Sequence, residues 1–393
     1  MGRRLTTGHG FEDVPLDWLR SKPGAKWHRH PGEMGAWIAD MDFRPPDFVV
    51  DSVRHVLEVG DLGYPDWRPL TGGSPVVAAF VDRCQRRWGW SIDGRDVREL
   101  GNVVQAIQLV LHVATQPGDR VVVHTPAYPP FLRSVEQTGR EVVRVPARRD
   151  ESSTSGWHFD HEALDAELRR RPARAMLLCH PHNPTGHVWS TDDLVALADI
   201  AERHDLLVVS DEIWADLVYE PNVHRPFGAI LPHRTITVTA ASKTFNIAGL
   251  RCAVAHVGDR RVAEAMRTLP HDLLGEPNLA GVAATTAAWT AGDEWVGHLV
   301  AHLDRQRLLL RELLAEALPD VTYVPPSSTY VAWLDCRALG FGDDPSEEFA
   351  RRGVRLNDGP SFGVEGRGFA RLNMATSSSV LRELVRRMST PRP

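Results

Sequence analysis

The feature that most limits how this chain can fold is a series of short, almost continuously apolar segments that alternate with helical patterns. Six of these segments are predicted strands, at 120–124, 141–145, 175–179, 206–210, 235–239 and 252–257. Strands that are apolar along their whole length must be buried on both faces. The pattern therefore predicts an α/β fold with a mainly parallel sheet covered by helices on both sides.

The pattern changes after about residue 281. A long amphipathic helix is predicted at 295–318, a short strand at 330–334 and a closing helix at 380–388. We therefore expect a large domain over 46–285 and a smaller α+β domain over 286–393. Residues 1–45 lack strong periodicity and are predicted to form an N-terminal arm that belongs in part to the small domain.

Composition points to a protein that acts on small molecules. The chain has 393 residues, a formal net charge of −6 and a pI near 6.3, and its basic residues are scattered. This balance argues against nucleic acid as a partner. No apolar run approaches the roughly 20 residues of a membrane span, so no membrane association is expected.

The cysteine and histidine patterns argue against disulfides and metals. The four cysteines (84, 179, 252 and 336) lie far apart without a C-x-x-C pair, which predicts reduced thiols in a cytoplasmic protein. The 18 histidines include His180 and His182, but no ligand spacing typical of a metal site is present. We therefore expect no metal.

One lysine, Lys243, stands in a segment too apolar to be a solvated charged face. Desolvation disfavours the ammonium form and lowers the pKa of a lysine, and such an amine can form a Schiff base with an aldehyde. A lysine that only ends a strand is the alternative for this residue considered alone.

Polar residues that follow apolar strands favour the catalytic alternative, because ligands of parallel α/β sheets bind at the carboxyl ends of the strands. Asn183, Asp211 and Lys243 follow three predicted strands. An amide, a carboxylate and an amine at one sheet edge suit a pyridine aldehyde. Asp211 could hold the ring nitrogen protonated, and Asn183 could donate to the phenolic oxygen of the ring.

Two further features complete a site for such a ligand. Tyr128, in a proline-rich loop after the strand at 120–124, could stack on the ring. A phosphate group would need backbone N–H groups at a helix N-terminus, which Asn102, Val103 and Val104 could provide, and Arg251 would add a positive charge. Each residue alone has an ordinary explanation as a turn or a loop contact.

Three sequence strings make the chain resemble a known family: His-Asn-Pro-Thr-Gly (182–186), Ser-Asp-Glu-Ile (210–213) and Ser-Lys-Thr-Phe-Asn-Ile-Ala-Gly-Leu (242–250). They resemble fold type I pyridoxal 5'-phosphate enzymes of the class I/II aminotransferase superfamily. The strings at 37–43 (Trp-Ile-Ala-Asp-Met-Asp-Phe) and 63–65 (Gly-Tyr-Pro) are similar to the MalY/PatB cystathionine β-lyase branch. The resemblance covers nearly the whole chain.

The resemblance implies a fold with a seven-stranded type of sheet, pyridoxal 5'-phosphate as cofactor and an amino acid as substrate. It implies that Lys243 is the Schiff-base lysine, Asp211 the partner of the ring nitrogen and Arg371 the residue that binds the substrate carboxylate. The remaining implied cofactor contacts are Asn183, Tyr128, Asn102, Val103, Val104, Ser242 and Arg251. On the substrate side it implies Ala39, Asp40 and Trp214.

The resemblance also implies a homodimer with shared active sites, in which Tyr64 reaches the cofactor phosphate of the other subunit. The chain departs from the family pattern at three positions. Trp214 stands where this branch usually has His and aminotransferases have Tyr, Ala240 replaces a Ser, and His180 replaces an Asn. Indole cannot accept a hydrogen bond, so the shape of the substrate pocket is expected to differ.

Three functions are compatible with the sequence. The first is a C–S β-lyase that cleaves cystathionine or another cysteine S-conjugate to a thiol, pyruvate and ammonia. The second is an aminotransferase, for example of secondary metabolism. The third is a regulatory protein that binds the cofactor without catalysis, and it is disfavoured because Lys243, Asp211 and Arg371 are all present.

Overall fold

The computed structural model describes residues 10–67, 73–150, 152–153 and 155–390, without the side chains of residues 271 and 272. Its helices are α1 (Leu16–Ser21), α2 (Ala25–His28), α3 (Asp47–Val59), α4 (Pro75–Trp88), α5 (Val103–Ala114), α6 (Pro129–Glu136), α7 (His161–Arg170), α8 (Thr191–Arg203), α9 (Phe227–Ile230), α10 (Arg260–Thr268), α11 (His271–Leu274), α12 (Leu279–Ala291), α13 (Asp293–Ala317), α14 (Ser346–Arg351) and α15 (Ser378–Ser389). Its strands are β1 (Met34–Gly35), β2 (Val97–Leu100), β3 (Arg120–Thr125), β4 (Glu141–Arg149), β5 (Trp157–Phe159), β6 (Ala175–Cys179), β7 (Leu207–Asp211), β8 (Thr235–Thr239), β9 (Ala253–Val257), β10 (Val331–Asp335), β11 (Val354–Arg355), β12 (Asn357–Asp358) and β13 (Phe369–Asn373).

Within the described residues, eight strands form the central sheet in the order β2-β9-β8-β7-β6-β3-β4-β5. The run from β8 to β4 is parallel, whereas β9, β2 and β5 pair antiparallel with their neighbours. The predicted mainly parallel sheet is confirmed, and all six predicted strands are present. Two short strands, β2 and β5, were not predicted, and β5 is the edge strand that extends the sheet beyond the seven strands implied by the resemblance.

The apolar character of the strands is explained by burial on two faces. Every residue of β6, β7 and β8 is buried. Successive side chains of a strand point to opposite faces, and in β6 Leu177 packs into one core cluster while Met176 and Leu178 pack into the other. Helices α5, α6 and α10 cover the first face, and α7 and α8 cover the second.

The C-terminal part of the chain contains a second sheet with the strand order β10-β13-β12. It is antiparallel, and Arg371 on its middle strand pairs with Trp333 on one side and Asn357 on the other. Strand β1 from the N-terminal arm pairs in parallel with β11. The arm is therefore ordered by the C-terminal region, while the exact domain limits remain a prediction.

Across the described ranges, the structure contains no helix with the length and apolar composition required to cross a membrane. All four cysteines are buried and carry free thiols.

Candidate active site

The carboxyl ends of β3, β6, β7 and β8 lie side by side at one edge of the central sheet, because these strands are parallel neighbours. Tyr128, Asn183 and Lys243 follow three of these ends, and Asp211 is the last residue of β7. The fold thus brings together four residues that are widely separated in the sequence.

These residues border a cavity with a volume of about 300 Å³. All but two of the predicted site residues line this cavity. They are Ala39, Asn102, Val103, Val104, Tyr128, Asn183, Asp211, Trp214, Ser242, Lys243, Arg251 and Arg371. The two exceptions are Asp40, which is adjacent to Lys243, and Tyr64, which is fully exposed.

Lys243 is largely shielded from solvent, with 19% of its side chain exposed. Its Nζ donates a hydrogen bond to the carbonyl oxygen of Ala39 at 2.7 Å and lies 3.9 Å from Oδ1 of Asp40. Burial lowers the pKa of Lys243 below its usual value, and the Asp40 carboxylate partly opposes this shift. The amine is therefore more easily deprotonated than that of a surface lysine.

Asp211 is a buried carboxylate, 4% exposed, with no cationic partner in an ion pair among the described residues. Its Oδ1 accepts one hydrogen bond, from the backbone N–H of Ile213 at 3.1 Å. Burial raises the pKa of Asp211 to about 7, and the neighbouring Glu212 adds to this. A cation placed beside Asp211 would be favoured by the low local dielectric.

Arg371 is a buried guanidinium, 3% exposed, that forms no ion pair within the described residues. It donates from Nη1 to Oδ1 of Asn183, and from Nη2 to Oδ1 of Asn357 and the carbonyl oxygen of Trp37, each at 3.0 Å. Its Nε has no hydrogen-bond partner in the described ranges, and burial lowers the pKa of Arg371 to about 10. The guanidinium remains charged near neutral pH, and an entering carboxylate would compensate it.

The hydrogen bond from Arg371 also orients Asn183. Because the side-chain oxygen of Asn183 accepts this bond, its amide N–H₂ group is left to donate elsewhere. Asn183 is buried in the cavity wall. It is thus able to act as the donor to the ring oxygen that the sequence predicted.

The N-terminus of α5 forms another part of the cavity wall. Asn102 caps this helix, and its side chain accepts a hydrogen bond from the backbone N–H of Gln105 at 3.0 Å. The first-turn residues Val103 and Val104 border the cavity together with Arg251, which is exposed and has a left-handed backbone (φ 51°). Backbone N–H groups and a helix dipole of this kind favour a phosphate group.

Two aromatic residues shape the cavity. Tyr128 is largely buried, and burial raises its pKa, so its hydroxyl stays neutral. Trp214 is almost fully buried and contacts the ring of Tyr330 edge-to-face, with centroids 4.7 Å apart. The Tyr330 hydroxyl donates to the carbonyl oxygen of Ala39 at 2.8 Å, the same oxygen that Lys243 contacts. Tyr330 therefore fixes the carbonyl group of Ala39 beside the amine of Lys243.

Sequence reasoning missed several cavity residues. Asn357 lies in the C-terminal region and carried no local signal. The same holds for Tyr330, which contacts the cavity residues Ala39 and Trp214 without bordering the cavity itself. Cys179 and Ile213 adjoin predicted site residues and could have been found from position alone. Of the noted departures, Ala240 borders the cavity. His180 does not, and its Nε2 instead contacts the carbonyl oxygen of Arg225 at 2.9 Å.

Comparisons with known proteins identify the family of the chain. Residues 100–388 match the family model described as aminotransferase class I and II. Cystathionine beta-lyase PatB from Bacillus subtilis is 33% identical over 358 residues, which is 90% of each chain. Cystathionine beta-lyase from Corynebacterium glutamicum is 30% identical over 383 residues and covers 95% of this chain and 98% of its own.

A solved structure is also similar over almost the whole chain. The PLP-bound C–S lyase from Staphylococcus hominis superposes with a TM-score of 0.89 at 25% identity and covers 98% of both chains. The fold match and the sequence matches extend well beyond the cavity. The chain therefore belongs to the aminotransferase class I and II family, in the cystathionine β-lyase branch that its motifs indicate.

Proposed function

We propose that this protein is a pyridoxal 5'-phosphate-dependent C–S β-lyase that cleaves cystathionine or another cysteine S-conjugate to a thiol, pyruvate and ammonia. One observation carries the proposal: a single cavity holds a shielded amine, a buried carboxylate and a buried guanidinium, and neither of the last two has an ion-pair partner among the residues that the structure describes. A cofactor with an aldehyde and a ring nitrogen, together with the carboxylate of an amino acid, would satisfy all three. The names of the relatives support the C–S lyase reaction.

The residues present fit the cofactor. Pyridoxal 5'-phosphate supplies an aldehyde that condenses with amines and a protonated ring that accepts an electron pair. Asp211 would hold the ring nitrogen, Asn183 would donate to the ring oxygen and Tyr128 would contact the ring face. The N-terminus of α5, with Ser242 and Arg251 beside it, would hold the phosphate.

The remaining residues act on the substrate. Arg371 would bind the α-carboxylate, because its guanidinium is buried and its Nε has no hydrogen-bond partner among the described side chains and backbone. The Nζ of Lys243, with its lowered pKa, would accept the proton from Cα. Ala39 holds this nitrogen in place, and Trp214 provides an apolar wall for the S-substituent.

The reaction is tested by incubating the purified holoenzyme with L-cystathionine without any keto acid. We expect thiol, pyruvate and ammonia in equal amounts. Alanine, which has the same α-amino acid group but no leaving group on Cβ, serves as the matched control and should give none of them. Turnover that appears only when a keto acid is supplied would support the aminotransferase instead and reject the lyase.

The proposal includes a homodimer in which Tyr64 contributes to the other subunit's site. Four large side chains in one short stretch, Leu57, Val59, Leu62 and Tyr64, are well exposed, which is unusual for a monomer surface. A second copy of the chain would cover them.

The buried, unpaired thiols support a cytoplasmic location.

A further inference from the structure

The chain uses lysine at very few positions. Among its 45 lysines and arginines only three are lysines, namely Lys22, Lys26 and Lys243. Arginine serves wherever else a positive side chain is needed. A compact ammonium group and a planar guanidinium are not interchangeable at a specific site, so the surroundings of the three lysines are worth comparing.

All three ammonium groups meet at one segment, residues 39–42. Lys243 donates to the carbonyl oxygen of Ala39, and Lys26 donates to that of Asp40 at 3.0 Å and to Oδ1 of Asp42 at 2.9 Å. Lys22 donates to the carbonyl oxygen of Asp42 at 2.8 Å. Lys243 has its role in the chemistry, and Lys26 forms a buried ion pair with Asp42. The structure gives Lys22 no such ion pair within the described residues.

Lys22 borders a second cavity, which we name the arm cavity, with a volume of about 170 Å³. Its wall also contains Lys26, Asp40, Asp42 and Ala248, and Ala248 belongs to the active-site cavity as well. Asp40 lies 3.9 Å from the Nζ of Lys243. The arm cavity therefore adjoins the active site at Asp40 and Ala248.

The charged side chains of the arm cavity are one buried ion pair and two further groups. Lys26 and Asp42 are both buried and neutralise each other at 2.9 Å. The two further groups are the ammonium group of Lys22, over the Trp18 ring at 3.9 Å, and the half-exposed carboxylate of Asp40, whose Oδ1 lies 3.9 Å from the Nζ of Lys243. Burial lowers the pKa of Lys22 to about 8, and an anionic ligand beside it would stabilise the ammonium form.

We propose that the arm cavity binds the far end of the substrate's S-substituent when that end is itself an amino acid, with Lys22 holding its carboxylate and Asp40 its ammonium group. The proposal rests on the C–S lyase function proposed above. It makes Lys22 a specificity-determining residue that distinguishes thioethers ending in a zwitterion from plain S-alkyl cysteines.

The test compares two substrates that share the bond to be broken. L-cystathionine carries a second amino-acid end, whereas S-ethyl-L-cysteine lacks it. For Lys22→Met we expect kcat/KM for L-cystathionine to fall about 10- to 100-fold through KM, as for loss of one charge-assisted hydrogen bond, while kcat/KM for S-ethyl-L-cysteine changes less than about threefold. Arg20→Met is the matched control, because Arg20 lies only two residues before Lys22, in α1, and pairs with Asp17 outside both cavities.

Binding without turnover gives a second readout. In the Lys243→Ala background, addition of Lys22→Met should weaken binding of L-cystathionine, measured by calorimetry, and leave that of S-ethyl-L-cysteine unchanged. Lys22→Arg, which keeps the charge, should recover only part of the affinity. Equal losses for both substrates, or no loss for either, would reject the subsite while leaving the lyase intact. Absence of pyruvate from both substrates with the wild-type enzyme would reject the lyase function and the subsite with it.

Discussion

The hydroxyl of Thr244 donates a hydrogen bond to the carboxylate of Asp216 at 3.2 Å, and this bond ties the residue after Lys243 to the turn that follows Asp211. Asp216 also forms an ion pair with Arg83 of α4, which is almost fully buried. Two segments of the active site are thus anchored to one buried pair. We therefore expect loss of the Asp216–Arg83 ion pair to disturb the positions of both the Lys243 amine and the Asp211 carboxylate.

The first prediction concerns the stability of this anchor. Within the part of the chain that the structure describes, Asp216→Ala leaves the buried Arg83 with Asp293 as its one ion-pair partner, at 3.1 Å. We expect the free energy of unfolding to fall by about 3 kcal/mol, the lower end of the range for breaking a buried ion pair. Urea denaturation measures it. Asp82→Ala, which removes one of the exposed ion-pair partners of Arg86, is the control and should cost less than about 1 kcal/mol.

The second prediction concerns the amine. Lys243→Ala should reduce the rate of pyruvate release by at least about 10³-fold, because the substitution removes the group that holds the cofactor and moves the Cα proton. The far-ultraviolet circular dichroism should stay the same, since the side chain makes a single hydrogen bond to Ala39. A variant with near-normal turnover would contradict the assignment of this residue.

The sequence was sufficient to predict the candidate site residues that lie at or just after the ends of strands. Asn183, Asp211 and Lys243 could be predicted because each adjoins an apolar run, and the parallel order of those runs places their ends together. The short strands β2 and β5, with four and three residues, have too few positions for a periodic signal.

Local sequence patterns could not predict the contacts between residues that are far apart in the chain. Asn357 accepts a hydrogen bond from Arg371 because β12 and β13 are adjacent, which depends on register and not on residue type. The approach of Lys243 to Ala39 joins segments 204 residues apart. Only the resemblance connected residues 37–43 with the active site, and no local property of that segment does so.

The third prediction is a pH dependence of the apoprotein. The pKa of Asp211 in the folded state, about 7, lies above its ordinary value of 3.8, so the folded state binds more protons than the unfolded state between these values. Its contribution to stability therefore falls as the pH rises from about 4 to 7, by up to about 4 kcal/mol. Asp211→Asn stays neutral and should not show this loss.

Urea unfolding of the two apoproteins at pH 5 and pH 8 isolates this effect, because the buried histidines are common to both. The free energy of unfolding of Asp211→Asn, measured relative to that of the wild type, should be higher at pH 8 than at pH 5. The same variant should bind pyridoxal 5'-phosphate more weakly, since it cannot pair with a protonated ring nitrogen. A stability difference that does not change with pH would show that Asp211 is ionised throughout.

The fourth prediction concerns Arg371. Arg371→Met should lower kcat/KM at least about 100-fold, because the buried contact with the substrate carboxylate is lost. The free energy of unfolding of the apoprotein should change by no more than about 1 kcal/mol, because relief of an unpaired buried cation offsets the lost hydrogen bonds to Asn183 and Asn357. Arg367→Met, at an exposed position, is the control and should alter neither quantity.

The last prediction concerns Tyr64, which is exposed in the single chain and expected to act in the partner's site. Tyr64→Ala alone and Lys243→Ala alone should each be poorly active. If the two variants are unfolded together and refolded, a hybrid dimer has one site with both substitutions and one site with neither. Because random pairing makes half of the dimers hybrids, about a quarter of wild-type activity should return. No recovery in the refolded mixture, with hybrids present, would show that Tyr64 does not act in the partner's site.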